Sequence, residues 1–109
     1  MPTSYKVLGQ VNPTATTATT AYTVPSATET IISTIVIANL GNAPGTYRIA
    51  IRPNGETLAT KHYIVYDASL APQDTQTLTM GITIDATDVV TVYSSTSSFA
   101  FNLFGSEIS

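Results

Sequence analysis

The stretch that most constrains the fold is TETIISTIVIANL, at residues 28–40. It is the longest β-branched run in the sequence, and it is apolar on both faces when drawn as an extended strand. A helix is the alternative for so apolar a run. However, β-branched side chains lose rotamer freedom against the preceding helical turn and fit a pleated surface better. The run therefore predicts a strand.

Regular alternation along this strand places Ile31, Ile35 and Ile37 on one face and Ile32 and Val36 on the other. A strand with one solvated face should alternate apolar and polar residues. Apolar residues on both faces indicate either a central strand covered on both sides or one face kept for a neighbouring subunit. We therefore assign Ile31, Ile35 and Ile37 as the candidate subunit interface.

The composition limits the size of the protein and the partners it can have. At 109 residues the chain is expected to form a single sandwich domain around one core. Only 10% of the residues are charged, against about 25% in a typical domain, so hydroxyls and backbone must make up much of the surface. The net charge is -3, and the four basic residues neither cluster nor interleave with aromatic residues. Nucleic acid is therefore not an expected partner.

The sequence predicts a soluble protein without disulfide bonds. It contains no cysteine, which excludes a disulfide framework and a thiolate metal site. No apolar run approaches the roughly 20 residues that a membrane-spanning helix requires. The N-terminus also lacks a charged region followed by an apolar core, so no secretion signal and no membrane association are expected.

The N-terminal segment, residues 1–21, is rich in threonine and alanine and offers little apolar surface to bury. One interpretation is an extended edge segment or loop that lies on the domain. The other is an arm that becomes ordered on a partner, where the partner's contacts offset the entropy cost of ordering it. In either case residues 22–109 are expected to form the β-sandwich domain.

Short alternating runs separated by turn signals follow the organising strand. Tyr47, Ile49 and Ile51 alternate with more polar residues, Asn54-Gly55 is a tight-turn signal, and Phe99 begins a last apolar strand. Seven or eight short strands at 8–12-residue spacing, without a helical period, predict an all-β protein. The expected fold is an antiparallel β-sandwich, either Ig-like or jelly-roll-like.

No residue pattern in the sequence indicates catalysis. His62 is the only histidine, and no Gly-x-Ser-x-Gly nucleophile motif is present, so a packed or hydrogen-bonded His62 is the preferred interpretation. Asp85 and Asp88 lack the spaced acidic pattern of a Ca²⁺ loop. Asp67 and a turn carboxylate could be paired as in a glycosidase, but no pattern in the sequence supports such a pair. We assign no catalytic residue, no metal ligand and no cofactor, and we predict that the protein is not an enzyme.

Tyrosines are the residues with the clearest binding potential. Tyr47, Tyr63, Tyr66 and Tyr93 could form a platform on which a sugar ring stacks. Tyrosine is also an ordinary strand residue whose hydroxyl reaches the surface, and this second interpretation is preferred.

Three runs of the sequence stand out as a set: KHYIVYD at residues 61–67, LTMGITIDATDVVTVY at residues 78–93 and FNLFGSEI at residues 101–108. These runs resemble a family of small virion structural proteins of tailed bacteriophages and cyanophages. LGQVNPTATT at residues 8–17 and YTVP at residues 22–25 are similar to the opening of the same family. The resemblance covers nearly the whole chain. It implies a β-sandwich present in many copies that decorates a capsid, neck or tail.

These observations predict a non-enzymatic virion protein, made in the host cytoplasm, that decorates or cements the capsid or forms part of the neck or tail. Low charge and a two-faced strand suit a subunit that contacts copies of itself, so we expect a homo-oligomer, specifically a trimer, bound to major capsid, neck or tail proteins. The alternative is a tail-associated domain that binds a receptor or glycan. Such a domain usually carries aromatic residues on its loop tips, which the longest loops predicted here lack.

Overall fold

The computed structural model describes residues 2–109 and contains two antiparallel β-sheets packed as a sandwich. The strands are β1 (Thr3–Val11), β2 (Thr19–Thr23), β3 (Glu29–Asn39), β4 (Gly45–Arg52), β5 (Tyr63–Leu70), β6 (Thr75–Leu78), β7 (Ile82–Ile84), β8 (Val89–Ser94) and β9 (Phe99–Ile108). Two single 3₁₀ turns, Pro53–Gly55 and Thr60–His62, lie between β4 and β5. Within residues 2–109, no helix is long and apolar enough to cross a membrane.

The strand order is that of a jelly roll. The first sheet runs β1-β9-β3-β6, with β7 also paired to β3, and the second sheet runs β2-β8-β4-β5. The first strand therefore pairs with the last, the second with the next to last, and β4 with its neighbour β5. This nested pairing, divided between two sheets, distinguishes a jelly roll from an Ig-like sandwich. The predicted all-β antiparallel sandwich is confirmed.

Residues 2–109 form nine strands where the sequence predicted seven or eight. The additional short strands are β2, which continues from the Thr/Ala-rich segment, and β7. Both β6 and β7 pair with β3, at Ile35–Ala38 and at Thr30–Ile32 respectively, so they occupy successive parts of one sheet edge. The three residues between them interrupt what would otherwise be a single strand.

The core lies between the two sheets and is dominated by β9. Phe99, Phe101 and Leu103 alternate inward along this strand, and each is fully buried. Tyr47 of β4 reaches across from the second sheet and packs against both phenylalanine rings, with centroid distances of 6.3 and 6.1 Å. Its hydroxyl donates a hydrogen bond of 2.6 Å to Gln76 Oε1, so burying this tyrosine leaves its polar atom satisfied.

A β-bulge in β3 separates the residues that were assigned as one interface. Ile32 pairs with Gly105 and Thr34 with Phe104, which leaves Ser33 as an extra residue. An extra residue reverses the alternation, so residues on the two sides of the bulge no longer keep the same face. Ile31 lies at the surface, whereas Ile35 and Ile37 are 1% and 0% exposed in the core. The shared outer face predicted for these three residues does not form.

The bulge depends on a close approach of two backbones at Gly105. A Cβ atom at this position would collide with the backbone carbonyl of Ile31. Only glycine lets β9 lie this close to β3 without moving one of the two strands.

The N-terminal segment contributes to both sheets. Residues 3–11 form β1, which lies along β9 at the edge of the first sheet, and Thr19 begins β2 at the edge of the second. Most β1 side chains are exposed. The expected division of the chain after Ala21 falls inside β2, so it does not coincide with the end of a strand.

A partly buried hydrogen-bond network joins the two sheets near the end of β9. Tyr22 of β2 donates to Glu107 Oε2 at 2.5 Å, and the Thr30 hydroxyl of β3 donates to the Tyr22 oxygen at 2.8 Å. Lys6 Nζ of β1 lies 2.6 Å from Glu107 Oε1. Four strands are therefore connected through one carboxylate.

Replacing Tyr22 with phenylalanine removes both hydrogen bonds while keeping the ring. It leaves the hydroxyl of Thr30, which is fully buried, without this partner. The expected loss of unfolding free energy is about 1–3 kcal/mol, the cost of an unsatisfied buried polar group. Urea denaturation of Y22F against wild type measures it. Y5F is the matched control, because Tyr5 is 85% exposed; equal stability of all three proteins would contradict the prediction.

The same network predicts a pH dependence. The hydrogen bonds from Lys6 and then Tyr22 hold the pKa of Glu107 below its ordinary value of 4.5. Burial, followed by the hydrogen bond to Glu107, raises the pKa of Tyr22 from 10.0 to about 12. The Glu107 contribution to stability is therefore complete above pH 4.5 and decreases on acidification, and the Tyr22 contribution decreases above pH 10.

We expect E107Q to lose stability at neutral pH and to show a smaller further loss than wild type when the pH falls below 4.5. Denaturation curves of both proteins across this range make the comparison. A constant difference between wild type and E107Q at every pH would contradict the assignment.

Candidate functional site

The outer face of the first sheet carries an apolar groove. We call it the outer groove. Its apolar side chains come from Tyr5 and Val7 of β1, Ile31 of β3 and Phe104 of β9, and the rest of its lining is Lys6, Ser33, Gly105 and Ser106. Tyr5 and Ile31 both pair with Ser106, one on each side of β9, and Val7 pairs with Phe104. Directly paired residues of adjacent strands share a face, so the four side chains are neighbours.

The outer groove is open and weakly charged. Its volume is about 510 Å³. Tyr5 is 85%, Val7 48% and Ile31 37% exposed. Lys6 is the charged residue of the lining, and Glu107 pairs with its ammonium group. A surface of this kind favours contact with another apolar surface over contact with a charged ligand.

The outer face of the second sheet carries a row of aromatic and charged side chains. Arg48 of β4 is directly paired with Tyr93 of β8. Its guanidinium carbon lies 4.2 Å from the ring centroid of Tyr93 and 4.2 Å from that of Tyr66 on β5. The guanidinium group is therefore held between two aromatic rings.

Asp67 fixes the orientation of the same guanidinium group. Arg48 Nε donates to Asp67 Oδ1 at 2.6 Å, and Nη2 donates to Oδ2 at 3.3 Å, which is a bidentate pair. The hydrogen bond to Asp67 raises the pKa of Arg48, so the guanidinium stays protonated. The pair carries no net charge.

Bulges in β5 bring Tyr63 and Tyr66 to the same face. Ile49 pairs with Val65 while Ala50 pairs with Tyr63, so Ile64 is an extra residue in β5. Regular alternation would have placed Tyr63 and Tyr66 on opposite faces. Instead their rings meet edge to face, with centroids 4.9 Å apart and an interplanar angle of 82°.

A cavity of about 580 Å³ opens beside these two rings. Its lining consists of Leu58, Ala59, Thr60, Tyr63 and Tyr66, and we call it the tyrosine cavity. Both apolar and polar atoms contribute to its walls. A volume of this size lies within the range of small-molecule sites.

His62 holds one wall of the tyrosine cavity in place. The backbone N–H of Ala59 donates to His62 Nδ1 at 3.0 Å. The proton of the neutral ring therefore lies on Nε2, which faces Glu56 Oε1 at 3.2 Å. His62 is the last residue of the 3₁₀ turn Thr60–His62, and β5 begins at the next residue, Tyr63. The preferred interpretation of His62, a packed and hydrogen-bonded side chain, agrees with these contacts.

The structure brings together three of the four tyrosines that were considered as a platform. Tyr63, Tyr66 and Tyr93 lie on the outer face of the second sheet, whereas Tyr47 is buried in the core. The sequence signal that excludes Tyr47 is that it shares one strand face with Ile49 and Ile51, opposite the polar Arg48. The role of Leu58–Thr60 as a cavity wall has no comparable sequence signal.

Other clusters of chemical groups are less developed. Among residues 2–109, no group of three or more histidine, cysteine or acidic residues is placed to hold a metal ion. Asp88 accepts hydrogen bonds from the backbone N–H groups of Asn54 and Asp85, as expected for a residue that stabilises turns.

No protein-family model matches the chain, and no curated protein is detectably similar to it. The two sheets and the strand order define a jelly-roll sandwich. The resemblance to phage virion proteins remains a prediction.

His62 is predicted to stabilise the wall of the tyrosine cavity. H62A removes the acceptor of the Ala59 N–H and should lower the unfolding free energy by about 1–3 kcal/mol. It should also increase the hydrogen-exchange rate of the Ala59 amide, which NMR can follow. K61A is the control, because the Lys61 side chain is 75% exposed. An unchanged exchange rate at Ala59 in H62A would contradict the role.

Proposed function

We propose that the protein is a non-enzymatic structural subunit of a phage virion, present in many copies, that assembles through the outer groove. The supporting observation is an apolar lining made by exposed Tyr5, Val7 and Ile31 and half-buried Phe104 on a small, sparsely charged domain. Contact with a neighbouring subunit would remove this surface from water.

The composition supports repeated contact between copies. A chain with 10% charged residues offers little electrostatic repulsion between identical surfaces. Jelly rolls are also used in viral capsid proteins, although this is an analogy at the level of fold and does not by itself assign a function. The resemblance to virion proteins supports the same proposal; it is carried by residues 8–17, 22–25, 61–67, 78–93 and 101–108.

The proposed assembly is a trimer that binds major capsid, neck or tail proteins, within a virion built in the host cytoplasm. A closed trimer uses heterologous contacts, so the outer groove of one copy would meet a different surface of the next. Of the three residues assigned to the subunit interface from the sequence, Ile31, Ile35 and Ile37, the proposed interface contains Ile31, because it is the one that lies at the surface.

Light scattering after gel filtration tests the self-association. We expect wild type to have three times the chain mass of 11.5 kDa at micromolar concentration. I31E, which puts a charge in the groove, should be monomeric with an unchanged melting temperature. I64E is the matched control, because Ile64 is 42% exposed but lies on β5 of the second sheet; it should remain oligomeric. A monodisperse wild-type monomer would refute assembly through the groove.

The virion assignment is tested separately by mass spectrometry of purified particles from infected cells. Many copies of the chain per particle, with fewer for I31E, would support it. A wild-type chain that is absent from the particles would refute the virion role.

A further inference from the structure

We propose that the tyrosine cavity binds an uncharged saccharide. This inference goes beyond the assembly role and develops the glycan-binding alternative that the sequence leaves open. The proposed binding site lies on the second sheet and shares no residue with the outer groove.

The aromatic row ends at the cavity. Tyr93, Arg48 and Tyr66 stack in that order across β8, β4 and β5, and Tyr63 contacts Tyr66 edge to face. Arg48 covers one face of the Tyr66 ring, while the side chain as a whole remains 59% exposed and lines the cavity. A ligand with an apolar C–H face can continue this packing against Tyr63 and Tyr66.

The charge of the site selects a neutral ligand. The guanidinium of Arg48 is already paired with the carboxylate of Asp67. An anionic ligand would have to compete with Asp67, and a cationic ligand would face an aromatic surface that Arg48 already occupies. Hydroxyl groups avoid both costs because each can donate to and accept from polar atoms without a change in net charge.

The polar partners for such hydroxyls are available around the rings. Thr60, one of the lining residues, carries a hydroxyl, and Tyr63 and Tyr66 end in phenolic groups that donate and accept. Leu58 and Ala59 are the lining residues with apolar side chains. The combination of C–H faces and many hydroxyls in one small molecule is the chemistry of a sugar ring.

Hydrogen bonds fix the cavity wall in the protein without ligand, so the site is preorganised. His62 is 5% exposed and fixes the Ala59 backbone, and its other nitrogen faces Glu56. A wall held in this way loses little conformational entropy on binding. A cavity of about 580 Å³ exceeds the lower limit of ordinary ligand sites, so a disaccharide is a reasonable size to test alongside single rings.

The experiment is an NMR titration of the ¹⁵N-labelled protein with defined sugars. The probes are methyl α-glucopyranoside, methyl α-mannopyranoside, N-acetylglucosamine, lactose and maltose, and the anionic comparison is N-acetylneuraminic acid. We expect at least one neutral probe to bind with a dissociation constant on the order of 1 mM and to shift amides of Ala59, Thr60, Tyr63 and Tyr66. The anionic sugar should bind more weakly than this probe.

Variants separate the cavity from the rest of the surface. Y66A and Y63A should each weaken binding of that probe about tenfold, through loss of one aromatic contact. I64A changes an exposed neighbour in the same strand and should bind like wild type. Y5A changes the outer groove, so it should retain sugar binding even if it alters self-association.

The proposal is overturned if none of the neutral probes binds, or if they bind equally well to Y63A and Y66A. A proline-rich peptide is titrated in parallel, because such peptides dock in aromatic grooves. Binding of the peptide without binding of any neutral sugar would also overturn the proposal. None of these results bears on assembly through the outer groove, which the I31E variant tests independently.

Discussion

The backbone ladder along β9 is the constraint on which the rest of the structure depends. This strand hydrogen-bonds to β1 on one side and to β3 on the other, and it supplies Phe99, Phe101 and Leu103 to the core. The close approach of β9 to β3 at Gly105 allows the bulge at Ser33, which sends Ile31 outward and Ile35 inward. The same ladder places Glu107 where Lys6 and Tyr22 can reach it. Core, outer groove and inter-sheet network therefore share one scaffold.

The two sheets present different chemistry to solvent. The first sheet exposes aliphatic and aromatic side chains beside hydroxyls, which suits burial against another protein surface. The second exposes tyrosines around a neutralised Arg48–Asp67 pair, which suits a small polar ligand. A sandwich allows this division because alternate residues of each strand face either the core or one outer surface.

The sequence predicts the fold class well because alternation is a local signal. The alternation of Tyr47, Ile49 and Ile51 correctly gives the inward face of β4, and Phe99, Phe101 and Leu103 give that of β9. The errors occur at bulges. Ser33 and Ile64 each add one residue to a strand, and no local pattern marks them, because a bulge depends on how the neighbouring strand pairs. The first bulge places Ile31 on a different face from Ile35 and Ile37, and the second brings Tyr63 into contact with Tyr66.

The pairing of the first strand with the last also has a consequence for how the chain folds. Local hairpins such as β4–β5 can form early, but the ladders of β9 join residues from opposite ends of the sequence. Loop-closure entropy opposes such distant contacts, so folding should be slow compared with that of a helical protein of this size. During synthesis β3 has no partner on this side until β9 has been made. Its unpaired backbone edge is exposed to other nascent chains in that interval. Chaperone supply and translation rate are therefore expected to influence the yield of folded protein.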